Sequence, residues 1–179
     1  MVLRLPALDS FLSQYQSVLD WLVSLSNDFS IDSSTRSNAN AHLHSMEKLS
    51  TYFMLRVLQF LLMHVAPIHD EVQRRGISVG HFRNLSEYLL IILSHFGDEQ
   101  RAKQFFEKCE SESRDLGIEL PNLPRRSGSR NFVLQQTGNA SAKEYYASLY
   151  VKVFQECCAA LKKRYPQEDL TSASVVEDT

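Results

Sequence analysis

Glycine and proline are scarce, at six and five residues in 179. So few turn formers cannot supply the many tight turns of an all-β fold. Cysteine is scarcer still. Cys109, Cys157 and Cys158 make an odd count without a spaced framework, which excludes a disulfide scaffold and points to a reducing compartment. Neither sign of charge dominates, since the formal net charge is −2 and the pI is near 6.3. Non-specific nucleic-acid binding needs an excess of cation to release counterions from phosphates, so the chain as a whole is not built for it. No long apolar stretch opens the sequence, and Asp9 arrives too early for a signal peptide. The most apolar run, Leu58 to Ala66, is interrupted by Gln59 and His64 and falls short of the about 20 residues a membrane span needs. A protein of the cytoplasm or nucleus, with no membrane span, is expected.

What is present is apolar and aromatic. Ten Phe and seven Tyr exclude disorder as an account of the whole chain. The length suits one domain, since single cores occupy roughly 100–200 residues. Large apolar side chains recur at steps of three and four, which gathers them on one helical face. A first helix is predicted over Ala7–Phe29, with Leu8, Leu12, Tyr15, Leu19, Leu22 and Phe29 in its stripe and Asp9 or Ser10 as caps. Residues 31–40, rich in Ser, Asn and Asp, read as a loop. A second helix, Ala41–Val65, carries Met46, Leu49, Phe53, Val57, Phe60 and Leu61, while Tyr52 and Leu62 extend its apolar surface around the cylinder. Pro67 should stop or kink it.

A third helix is predicted over Val79–Phe96 and a fourth over Glu99–Leu116. The two-residue Gly97–Asp98 connection should fold them back antiparallel. A last helix starts at Ser141, whose spacing to Glu144 is that of a capping box, and ends near Tyr165. No segment alternates with period two, so no sheet is expected. The predicted architecture is all-α: a five-helix, mostly antiparallel bundle within one domain, 1–166. It includes one long irregular loop, 117–139, and precedes a disordered acidic tail, 167–179.

Two stretches resemble known helical families. Ser86, Leu89, Leu93, Ala102, Phe106 and Cys109, with Gly97–Asp98 at the turn, follow the packing positions of a tetratricopeptide hairpin. The resemblance implies an antiparallel helix pair. Leu90 stands where the family has glycine, the closing proline is missing, and no ~34-residue period recurs. The first helix, with Trp21 amid a heptad-like stripe, resembles the opening helix of a spectrin-type repeat, and the rest of that pattern does not follow. The chain is assigned to neither family.

No motif identifies an enzyme. His64, His69, Asp70 and Glu71 are the tightest metal-ligand grouping, but Pro67 intervenes and five residues is not a helical-face repeat. Adjacent Cys157 and Cys158 point about 100° apart on a helix and cannot bridge without breaking it. One should be a small core residue and the other a half-exposed thiol. No glycine-rich loop cradles phosphate. No catalytic, cofactor or metal residue is therefore assigned, and no cofactor is expected.

The candidates left are for interaction. Trp21 lies one residue off the first stripe, with the core as its expected place and a partner patch as the alternative. Tyr52 and Leu62 widen the second helix beyond what a small bundle can cover. Arg125, Arg126 and Arg130 make a basic loop, and Arg126-x-x-Ser129 matches a basophilic kinase site weakly, so Ser129 is a candidate for phosphorylation. The leading expectation is a non-catalytic interaction module, an adaptor or a subunit of a larger assembly, with a protein partner. An α-helical enzyme or small-ligand carrier with a pocket in the bundle stands second. A nucleic-acid-associated factor using the Arg125–Arg130 loop stands third.

Overall fold

The computed structural model describes residues 5–73, 76, 78–118 and 141–165. Among them the chain is helical nearly throughout and contains no strand. Seven helices replace the expected five. They are α1 (Leu5–Ser13), α2 (Tyr15–Asn27), α3 (Ser33–Met46), α4 (Leu49–Val72), α5 (Val79–Phe96), α6 (Glu99–Asp115) and α7 (Ala142–Arg164). The predicted loop 117–139 falls almost wholly outside the described residues, and the predicted tail 167–179 does so entirely.

The two extra helices have local causes. The expected first helix breaks at Gln14, whose N–H is shared between the carbonyls of Ser10 and Phe11 at 3.2 Å each, while Ser13 Oγ donates to the Ser10 carbonyl. Such side-chain back-bonding bends a helix. Asp9 and Ser10 therefore lie inside α1 and do not cap it; Asp9 instead accepts from the Gln59 amide of α4 at 2.6 Å. The predicted 31–40 loop is also corrected. Asp32 caps α3 by accepting from the Thr35 N–H at 2.9 Å, and Ala39 is buried. A good cap and one small inward residue outweigh a composition that favours turns.

The expected second helix divides at Glu47–Lys48. There the Tyr15 hydroxyl donates to the Met46 carbonyl at 2.8 Å, occupying an acceptor that a continuous helix would have offered to its own backbone. α4 then continues through Pro67 to Val72, since the ring removes only one amide and the turn beyond it is retained. α4 is long and apolar enough to cross a membrane by length and composition. The same helix buries Leu49, Tyr52, Phe53 and Val57 and touches α1, α3, α5 and α6, so it is no clear membrane span.

α5 and α6 do not form the expected antiparallel pair. Gly97 closes α5 through its N–H to the Leu93 carbonyl, and Asp98 caps α6 by accepting from Arg101 N–H. The two helices then run on as one bent rod and do not pack along each other. Their partners show it. Rising along α4, Tyr52 meets Glu112, Phe53 meets Phe106, Phe60 meets Phe96, and Glu71 approaches His81. Rising along α7, Tyr146 meets Phe106, Tyr150 meets Phe105, Cys158 meets Ser94, and Tyr165 meets Phe82. Both long helices thus run antiparallel to the rod and parallel to each other. A straight helix from His81 to Glu112 would reach about 46 Å, against about 28 Å from Tyr52 to Glu71, so only a bent rod keeps both ends in contact. The tetratricopeptide resemblance implied a hairpin here, and the fold does not contain it.

Two glycines serve different purposes. At Gly97 an added Cβ would lie 3.2 Å from Phe154 Cβ, so the absence of a side chain lets α7 approach the bend. Gly117 has φ +67° and ends α6 in a Schellman motif. Its N–H bonds the Arg114 carbonyl at 3.1 Å and the Ile118 N–H bonds the Ser113 carbonyl at 2.9 Å. The capping box predicted at Ser141 and Glu144 is present.

Inside the bend lies an aromatic cluster. Phe60 of α4 contacts Phe96 of α5, Phe105 of α6 and both Tyr150 and Phe154 of α7, at centroid distances of 4.9, 5.7, 6.5 and 6.2 Å. Phe60 is half-buried, so Phe60→Ala is expected to destabilise the protein by about 2 kcal/mol, less than the loss of a fully buried ring. Gly97→Val should cost about 1–3 kcal/mol through overpacking against Phe154. Chemical denaturation of each variant measures both losses.

Candidate interaction surface

α4 presents two apolar faces. Phe53 and Val57 point into the core, fully covered. Met54, Leu58 and Leu62, spaced four apart, form a second stripe rotated away from them. Met54 and Leu58 are exposed, Leu62 is half-buried, and Met63 beside them is 52% exposed. No charged residue interrupts the stripe between Arg56 and Asp70. On α5, Tyr88 and Ile91 stand one turn apart and exposed, Ile91 at 67%. Soluble monomers rarely leave contiguous apolar surface uncovered without a use for it.

The sequence-derived candidates divide. Trp21 is 59% exposed, so its expected place in the core is corrected and the alternative, an exposed position, is what α2 provides. Its neighbours Tyr15, Leu19 and Leu22 take the inner face, and a residue two steps past Leu19 cannot share that face. Leu62 belongs to the outer stripe of α4. Tyr52 does not. It is buried, its ring lies edge-on to Tyr15 at 5.3 Å, and its hydroxyl donates to Glu112 at 3.0 Å. Arg125, Arg126, Ser129 and Arg130 lie outside the described residues. Phe29, predicted in the first stripe, is 86% exposed after the end of α2, with the Arg36 guanidinium over its ring.

Beneath the surface a polar chain joins three helices. Arg56 donates to Glu112 at 2.9 Å and to Gln59, and Gln59 reaches Asp9. With Tyr52 on the second Glu112 oxygen, this links α1, α4 and α6 around a carboxylate that is only partly exposed. Burial, with the Glu112 charge adding to it, pushes the Cys109 thiol up to about 12. Burial likewise raises Tyr15 and Tyr150 to about 12 each. His64 stacks on Phe96 at 4.4 Å, and the loss of hydration there holds its pKa below the usual imidazole value. Cys109, Tyr15 and Tyr150 are core members held in their neutral forms, unlike an activated nucleophile, and half-buried His64 is likewise held neutral. No group of three or more His, Cys, Asp or Glu close enough to hold a metal occurs among the described residues.

A half-open groove of about 380 Å³ runs between α5 and α7, floored by Leu93, Gly97 and Phe154 and rimmed by Ser94, Cys158 and Lys162. No local pattern announces it, because its two walls are about sixty residues apart in the chain. Leu58 was expected on the widened apolar surface of the second helix and is exposed there; Met54, Tyr88 and Ile91 were missed, although the angle each makes with the inward residue of its own helix was available. Comparison with protein-family models, with curated proteins and with solved structures finds no match to this chain.

The raised tyrosines fix a pH dependence. A tyrosine ionises near 10 when unfolded, so the neutral folded form contributes stability that is whole below about pH 10. That contribution falls as pH rises toward about 12, where Tyr15 and Tyr150 would ionise in the fold. Denaturant midpoints should drop across that interval, with tyrosinate absorbance from these residues appearing together with unfolding and not before it.

Proposed function

We propose that the chain is a non-catalytic helical interaction module, an adaptor or one subunit of a larger assembly, acting in the cytoplasm or nucleus on a protein partner. The observation that carries this reading is the outer stripe of α4, Met54–Leu58–Leu62. A helix that fills the core with one face and offers an uncharged apolar strip with another suits recognition of an apolar partner surface. Methionine strengthens the reading, because its unbranched, polarisable side chain adapts to varied contacts. The odd count of cysteines, without a spaced framework, supports a reducing compartment.

The test pairs the full chain with its Met54→Lys/Leu58→Lys variant in affinity capture, with melting and solution mass measured for both. Both positions are already exposed, so folding stability should change by less than about 1 kcal/mol. The expected result is a protein retained by the natural sequence and lost by the variant. Retention of the same proteins by both, at unchanged stability, would overturn the proposal.

A further inference from the structure

α1 differs from the other six helices. It spans nine residues, Leu5–Ser13, and buries none of them, whereas each of α2 to α7 buries at least one. Its half-buried residues are Leu5, Leu8, Phe11 and Leu12, and the remainder are exposed. Leu5, Leu8 and Leu12 stand at i, i+3 and i+7, the anchor spacing of an amphipathic helix laid in an apolar groove. A free helix this short is marginal in water, so α1 is helical because of the surface beneath it. That surface is chiefly α4, with little contact to α2. The junction with α2 is a break: Gln14 lies off helical geometry, at φ −106° and ψ 14°, and gives α2 no side-chain cap.

The seat on α4 is marked by Gln59, whose amide donates to Asp9 at 2.6 Å. Leu55 and Leu62, four residues before Gln59 and three after it, share its side of α4 and are half-buried. Leu62 also ends the exposed Met54–Leu58 stripe, so the seat and the stripe adjoin there. α1 covers one side of this apolar surface and leaves the other open. An element with no buried residue, joined through a broken turn, opens at little cost in free energy.

We propose that α1 is an autoinhibitory helix: it occupies, on α4, the seat of an amphipathic helix from a protein partner, and the partner binds by displacing it. The inference rests on the reading of Met54–Leu58–Leu62 as an interaction face and adds the shape of what docks there. α1 itself specifies the chemistry of its replacement. The partner helix carries large apolar residues at i, i+3 and i+7, with an acid at i+4 to accept from Gln59 where Asp9 now does. With α1 displaced, the docked helix also reaches Leu58 and Met54, which α1 leaves uncovered. That added contact is the differential affinity that drives the exchange.

The experiment titrates a fluorescein-labelled peptide of residues 5–14 with the full chain and with its Leu5→Asp/Leu8→Asp variant, and follows amide exchange in both. The two substitutions unseat α1 and spare Phe11 and Leu12, which pack against the core. The variant should bind the peptide about tenfold more tightly than the natural chain, because its seat is open. Its α1 amides should exchange early while those of α4 stay protected. A peptide carrying the same two substitutions should bind neither chain. Asp9→Ala, at an exposed position, removes only the tie to Gln59 and should shift peptide binding and α1 exchange in the same direction. That variant keeps the test decisive if the double substitution prevents folding. Equal peptide binding by the natural chain and the variants, or no binding by a folded variant with α1 released, refutes the assignment. The peptide involves no outside protein, so its failure is distinct from a failure of the Met54→Lys/Leu58→Lys capture.

Discussion

Phe60 is the one ring at which four of the helices meet at a single point. Its ring touches the end of α5, the start of α6 and the middle of α7, so it occupies the inside of the bend that Gly97 and Asp98 create. The bend and the ring require each other. A straight α5–α6 rod would outrun α4 and α7, and a bend without an aromatic filling would leave a void between three helices. Tyr150 and Phe154 continue the packing into α7 at 4.6 Å from each other, and the missing side chain at Gly97 lets that helix come close enough to take part. Dispersion over many such contacts, each small, is what fixes the crossing of the long helices.

The polar chain around Glu112 complements this apolar centre along the first half of α4. One carboxylate accepts from Tyr52 and Arg56 at once, and Arg56 passes the connection through Gln59 to Asp9. Hydrogen bonds of this kind add direction where hydrophobic packing is indifferent to it. α1 is thereby tied to α4 through named partners as well as through Phe11 and Leu12.

Helical content, the boundaries of α5 and the capping box of α7 were legible because each depends on residues close in sequence. Spacing placed Phe53, Val57, Leu89, Leu93 and Phe106 in the core, and all five are buried. The failures have a common cause. Tyr15 and Met46 are far apart in sequence, so no local pattern could announce that a hydroxyl would take a helix-end carbonyl and divide the predicted second helix. The direction of α6 after Gly97 depends on α4 and α7, and a short connection fixes proximity without fixing angle. The first part of α3, up to residue 40, was missed for another reason: its composition favours turns, and a single cap together with tertiary contact reversed the preference. Trp21 shows the converse, since an aromatic residue was given to the core on its chemistry when its angular position already turned it outward. The groove beside Cys158, formed by two distant helices, had no local signal at all.

α3 carries a consequence of its own. Its sequence, SSTRSNANAHLHSM, contains few strong helix formers and buries only Ala39. Little of its helicity is intrinsic, so it rests on tertiary contact: its packing along α2 and the seating of Leu43 and Met46 against the core. Its amides are therefore expected to exchange together with the opening of the α2–α3 contact and not on their own.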